Sequence, residues 1–148
     1  MAGPPDSADG AGRTYSPAAR HSSKRHAHAR DAGARIAGGS DWGVSTFNAF
    51  EAMEHAITRS LGRGAKALLP EQSVPLAVMV DAYTINAAYA LRQEKITGSL
   101  EPGKRADFIV LDRDIFAIDP FELHATGVLA TYLDGREVWR RRDAPAKL

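Results

Sequence analysis

Cysteine is missing from the 148-residue chain. This excludes disulfides and thiolate metal sites, and it leaves histidines and carboxylates as the side chains able to hold a metal. Net charge is nearly absent as well: 19 Lys and Arg stand against 18 Asp and Glu, a formal charge of +1. No overall field therefore points to nucleic acid or to an anionic membrane surface as a partner. No apolar run approaches the roughly 20 residues that a membrane span needs. Nor does an apolar stretch follow the first charges of the chain, so no secretory signal is read there and the cytoplasm is the expected location. What is present is 44% hydrophobic residues, enough at this length for one ordinary domain with a core.

Large aliphatic residues are almost missing from residues 1–29, where Ala, Gly, Pro, Ser, Arg and His dominate. Such a stretch buries too little apolar surface to offset its ordering entropy and is expected to be a disordered tail. From residue 30 the pattern is that of a folded protein. Ala34 to Ala37 is a short apolar run closed by Gly38-Gly39, expected as a buried strand entering a tight turn. Ser45 or Thr46 can cap a helix on which Phe50, Met53, Ile57 and Leu61 recur, with Gly62 as its stop. Residues 64–72 read as a loop. Ser73 is a candidate N-cap for a helix from Leu76 to Tyr83, with Pro75 in its first turn, and Thr84 for a shorter one through Leu91.

After Gly98 the period changes from 3.6 to two. Ala106, Phe108 and Val110 share one face of a strand expected over 106–112. Val128 to Leu133 forms another strand, and Asp134-Gly135 is a two-residue hairpin turn that returns the chain through 137–140. The chain thus divides into a tail (1–29), a segment of one strand and helices (30–97), a small β unit (98–142) and a frayed end (143–148).

The phrase Gly38-Gly39-Ser40-Asp41-Trp42 carries the most chemical information. A carboxylate at the C-terminal end of a buried strand stands where α/β folds place their active sites. From spacing alone, Asp41 reads first as a cap of the turn or of the next helix, since Asp is common in both places.

Four stretches bear on that choice: AGARIAGGSDWGVST (32–46), AYTINAAYAL (82–91), TGSLEPGKRADFIVLDRD (97–114) and VLATYLDGREVW (128–139). In this order they resemble the amidohydrolase superfamily, and most closely the family 3 branch that includes N-substituted formamide deformylases. The resemblance implies an α/β chain: the C-terminal fragment of a (β/α)8 metal-dependent hydrolase barrel, from strand eight onward, plus the C-terminal part of a small β-sandwich. It implies that Asp41 matches the strand-eight aspartate, a metal ligand that accepts a proton from the attacking water. It also implies a divalent metal, zinc first, and a small-molecule amide or N-acyl substrate.

Two departures accompany the resemblance. Gly43 stands where the family usually has proline, which frees the backbone just after Asp41. A complete barrel takes about 250 residues, and the family's other metal ligands, a His-x-His pair among them, come from earlier strands. His26-Ala27-His28 has that spacing, but no apolar strand flanks it, and it is read as coincidence. His55 is expected on a helix as a solvated residue, and His124 in a loop. Trp42 could line a pocket or simply pack. Asp107, Asp112 and Asp114 read as strand-end and turn residues, and 140–142 as a solvated basic run. The expectation is a metal-dependent amidohydrolase present as a C-terminal fragment and inactive alone. The rival expectation is a non-catalytic remnant or a partner-dependent half of a split enzyme, with a missing N-terminal half or a second copy of itself as the partner.

Overall fold

The computed structural model describes residues 26–41, 43 and 46–145. In chain order these contain helices α1 (His26–Asp31), α2 (Ala49–Thr58), α3 (Leu76–Tyr83) and α4 (Ile85–Ala90), followed by strands β1 (Phe108–Leu111), β2 (Val128–Leu133) and β3 (Arg136–Arg140). Two 3-10 turns, Pro70–Gln72 and Pro120–Ala125, lie between them.

Helix α2 begins at Asn48, whose side chain accepts from the Phe50 amide at 3.0 Å. Thr46 supports this cap from outside, its hydroxyl accepting from the Asn48 amide at 3.1 Å. The stop comes earlier than Gly62: Arg59 takes a left-handed conformation (φ 54) and its N–H donates to the His55 carbonyl. Met53 and Ala56 of this helix join Val74 and Met79 in the core, with Ile36, Phe50, Ile57, Leu76, Val78 and Tyr83 packed around them.

Helices α3 and α4 keep the expected break at Thr84, but neither expected hydroxyl caps a helix. Ser73 instead donates to the Ile57 carbonyl at 2.5 Å, tying the loop to the end of α2. Thr84 donates back to the Val80 carbonyl at 2.7 Å, the i−4 bonding by which Ser and Thr bend helices.

The sheet is antiparallel in the order β1-β2-β3. Asp134 (φ 51) and Gly135 (φ 76) are both left-handed, as a twist-matched two-residue hairpin requires. Phe108 and Tyr132 sit opposite one another with rings stacked at 4.5 Å. The sheet joins the helices through the Pro120–Ala125 turn, which packs on α2 and buries Leu123 to 1% exposure.

Residues 34–37 are not a strand. A strand needs a partner for its backbone groups, and no described strand pairs with this segment; it runs instead along helices α3 and α4. Residues 1–25 lie outside the described residues, and α1 crosses the boundary drawn at 29/30. No helix among the described residues is long and apolar enough to cross a membrane.

Candidate functional site

Four contacts hold the segment that leads to Asp41. The Arg35 guanidinium lies over the Tyr89 ring at 4.1 Å. The Asn86 side-chain amide donates to the Ile36 carbonyl at 3.1 Å. The Gly38 amide donates to the Ala82 carbonyl at 2.8 Å. Gly38 itself rests on the ring of Tyr83, so closely that an added Cβ would lie 2.6 Å from two ring carbons. Glycine is required there for space, because any side chain would have to displace an aromatic ring.

The helix break explains why Ala82 is available. In a continuous helix its carbonyl would accept from the amide four residues on, that of Asn86. The interruption at Thr84 frees it as one of the terminal carbonyls of α3, and Gly38 takes it. Stretch 82–91 therefore supplies the dock for stretch 32–41, through residues spaced three apart (Tyr83, Asn86, Tyr89). Their roles escape a reading of residues one at a time; the spacing on successive helical turns is the signal that marks them.

Asp41 follows at the end of this docked segment. It is exposed and holds a left-handed backbone, φ 48, a conformation uncommon for residues other than glycine but accessible to Asp and Asn. Trp42 and Ser45 lie outside the described residues. A cleft of about 890 Å³ opens between α3–α4 and the sheet, with Tyr83, Leu91, Leu100, Ile109 and Leu133 among its walls. Asp41 is not part of its lining.

The remaining acidic candidates are structural. Asp107 accepts from the Asp134 amide at 2.8 Å and the Thr97 hydroxyl at 2.9 Å, clamping the hairpin turn to the loop before β1. Those bonds hold its carboxyl below the usual range. Asp112 is lowered further, to about 2, first by the Arg113 guanidinium and then by the Gly127 amide and Arg141. Asp114 accepts from the Phe116 amide at 2.9 Å in a turn.

His124 has a partner that the sequence did not suggest. The carboxylate of Glu54, 6% exposed, accepts from both the His124 amide (2.9 Å) and His124 Nδ1 (2.8 Å). The Asn48 side chain donates to the His124 carbonyl at 2.9 Å. His124, expected in a loop, lies in the 3-10 turn and ties α2 to the β unit. His55 stays half-exposed on α2. The backbone of 26–28 is helical, not the extended form in which residues two apart share a face.

A catalytic zinc takes about three protein ligands. Among the described residues no three His, Asp or Glu side chains gather to hold a metal. Asp41 is a single donor, and the described residues do not by themselves make a metal site.

The chain matches the amidohydrolase family over residues 8–139, reaching upstream of the motifs that begin at Ala32. It is 40% identical over 96 residues to the N-substituted formamide deformylase of Arthrobacter pascens, covering 65% of this chain and 18% of that protein. It is 40% identical over 65 residues to a 5-methylthioadenosine/S-adenosylhomocysteine deaminase of Symbiobacterium thermophilum, covering 38% of this chain and 15% of that one. Its structure resembles an amidohydrolase from Thermotoga maritima with a TM-score of 0.61 and 26% identity, over 80% of this chain and 26% of the other. The chain spans about a fifth or less of the length of these two relatives. The chain belongs to the amidohydrolase family.

Proposed function

We propose that this chain contributes the strand-eight carboxylate, Asp41, to a metal-dependent amidohydrolase acting on a non-peptide carbon–nitrogen bond of a small amide or N-acyl compound. Residues 30–97 would form the last segment of its barrel and 98–142 part of its small β-sandwich, in a cytoplasmic enzyme. One observation carries the reading: Asp41 stands in a left-handed turn at the end of a segment fastened to two helices. Unusual backbone at such a point is where functional groups concentrate.

The chemistry that Asp41 can supply is proton transfer. A carboxylate within reach of an attacking water accepts its proton and passes it to the leaving amine, a contribution of about 100- to 10,000-fold. A divalent ion, zinc first, would bring the water's pKa toward about 7. Its remaining ligands would come from outside the described residues, as Asp41 alone falls short of a site.

The relatives named above are a deformylase and a deaminase, so the shared reaction class is narrower than the substrate. The test is complementation. The chain is co-expressed with the Arthrobacter pascens deformylase segment that precedes its matched region, and turnover of an N-substituted formamide is measured. Turnover is expected with Asp41, and a fall of about 100-fold or more with Asp41→Asn. Equal turnover by the Asp41→Asn variant would overturn the reading. The single donor also favours a second reading, a non-catalytic remnant or a half that depends on a partner; no turnover in any combination would select the remnant, and turnover only in combination the partner-dependent half.

A further inference from the structure

We infer that Tyr83 is a positioning residue for Asp41, acting through the face-on contact of its ring with Gly38. The inference rests on the reading of Asp41 as the reacting carboxylate and deepens it.

Three observations carry it. The Gly38 backbone approaches the ring more closely than any Cβ could, with 2.6 Å to Cδ2 and Cε2 and 3.0 Å to Cγ from the position a Cβ would take. The ring is therefore a flat floor on which the chain lies, and it fixes height as well as direction. Gly38 is also tied by its amide to Ala82, the residue before Tyr83, so floor and tether belong to one helical turn. Finally, Asn86 on the next turn holds the Ile36 carbonyl. The segment is thus pinned at 36 and 38, three residues short of the carboxylate.

The ring is anchored in turn. Tyr83 packs against the core formed by Met53, Ala56, Val74 and Met79. Its burial pushes the phenol above its usual value, so the hydroxyl stays neutral and the contact is one of shape. Gly39 meets nothing within 4 Å of its virtual Cβ, which leaves the freedom for the turn beyond the pin rather than within it. The pinned segment sets where the turn that carries Asp41 begins, and misplacement of a reacting group by about 1 Å can cost about 100-fold in rate.

The test reads position and chemistry separately on the whole chain. Amide hydrogen exchange is followed by NMR at Gly38 and, as a reference in the sheet, at Thr131. Tyr83→Phe is expected to leave both unchanged. Tyr83→Ala is expected to speed exchange at Gly38 by about tenfold or more and to leave Thr131 within about twofold, as local opening without global unfolding. Asn86→Ala, which spares the core, is expected to speed exchange at Gly38 to a lesser degree. An unchanged Gly38 in Tyr83→Ala, or equal acceleration in Tyr83→Phe, would overturn the inference.

The complementation assay then gives the second arm. Tyr83→Phe is expected to keep kcat, and Tyr83→Ala to lower it about 10- to 100-fold with little change in KM. Full kcat in Tyr83→Ala would also overturn the inference. If instead Asp41→Asn keeps full turnover, the reading of Asp41 has failed, whatever the exchange at Gly38.

Discussion

Asp112 sits at the end of β1 with Arg113 at 2.9 Å, the Gly127 amide at 3.1 Å and Arg141 at 3.2 Å. Its carboxyl is depressed to about 2 from 3.8. A depressed acid binds fewer protons in the folded state, so its contribution to stability is full above about pH 4 and is lost as pH falls through about 2. Asp112→Asn should therefore lower the denaturant midpoint at pH 7 and bring it nearer to wild type at pH 2, measured by urea unfolding at both values. A loss of equal size at both would contradict it. Gly127 belongs to the same cluster, since an added Cβ would lie 2.5 Å from the Asp112 carboxylate and 2.6 Å from the Arg141 guanidinium. That Asp107, Asp112 and Asp114 serve at strand ends and turns was legible from their places in the pattern. The partner of Glu54 was not, because His124 lies 70 residues away and no local pattern links them.

At the scale of elements, the strands were the clearest. Strand β2 has the expected bounds, and β1 is shorter at each end than the expected 106–112. Alternation and an Asp-Gly turn are local signals, and local hydrogen bonds satisfy them. The segment 34–37 misled because an apolar run states only that a segment is covered, not by what; here the helices cover Ile36. Helix caps also escaped single-residue reading: Asn48, Thr46 and Ser45 are all competent acceptors before α2 and geometry chose Asn48, while Ser73 bonds to Ile57 and leaves α3 without a side-chain cap. Asn48→Ala should cost about 1 kcal/mol, and more if the lost bond to the His124 carbonyl adds to it. Chemical denaturation checks this, and a change within about 0.3 kcal/mol would count against the cap. Gly135→Ala should cost about 1–2 kcal/mol, since φ is 76 there and the left-handed region disfavours a Cβ. The space is open, with the nearest atom at 3.8 Å, so backbone strain alone sets the loss.

At the scale of the molecule, much apolar surface faces solvent. Phe47 is 73% exposed, Leu91 70%, Leu100 69% and Phe116 63%, and Val138 and Trp139 lie open on β3 at the end of the sheet order. Exposed apolar patches and unpaired strand edges favour association. The purified chain should sediment as more than a monomer at micromolar concentration, and a sharp monomer boundary across that range would oppose this. Alone, it should also lack metal-dependent turnover of an N-substituted formamide, because the described residues gather no set of ligands.

The Glu54–His124 bond has a temporal consequence. During synthesis α2 is complete long before the residue that satisfies its buried carboxylate exists, for the two lie 70 positions apart. At about 5–20 residues per second, His124 follows Glu54 by roughly 4–14 s. Through that interval Glu54 lacks both of the donors that hold it in the fold, so the docking of the Pro120–Ala125 turn on α2 waits for the last third of the chain.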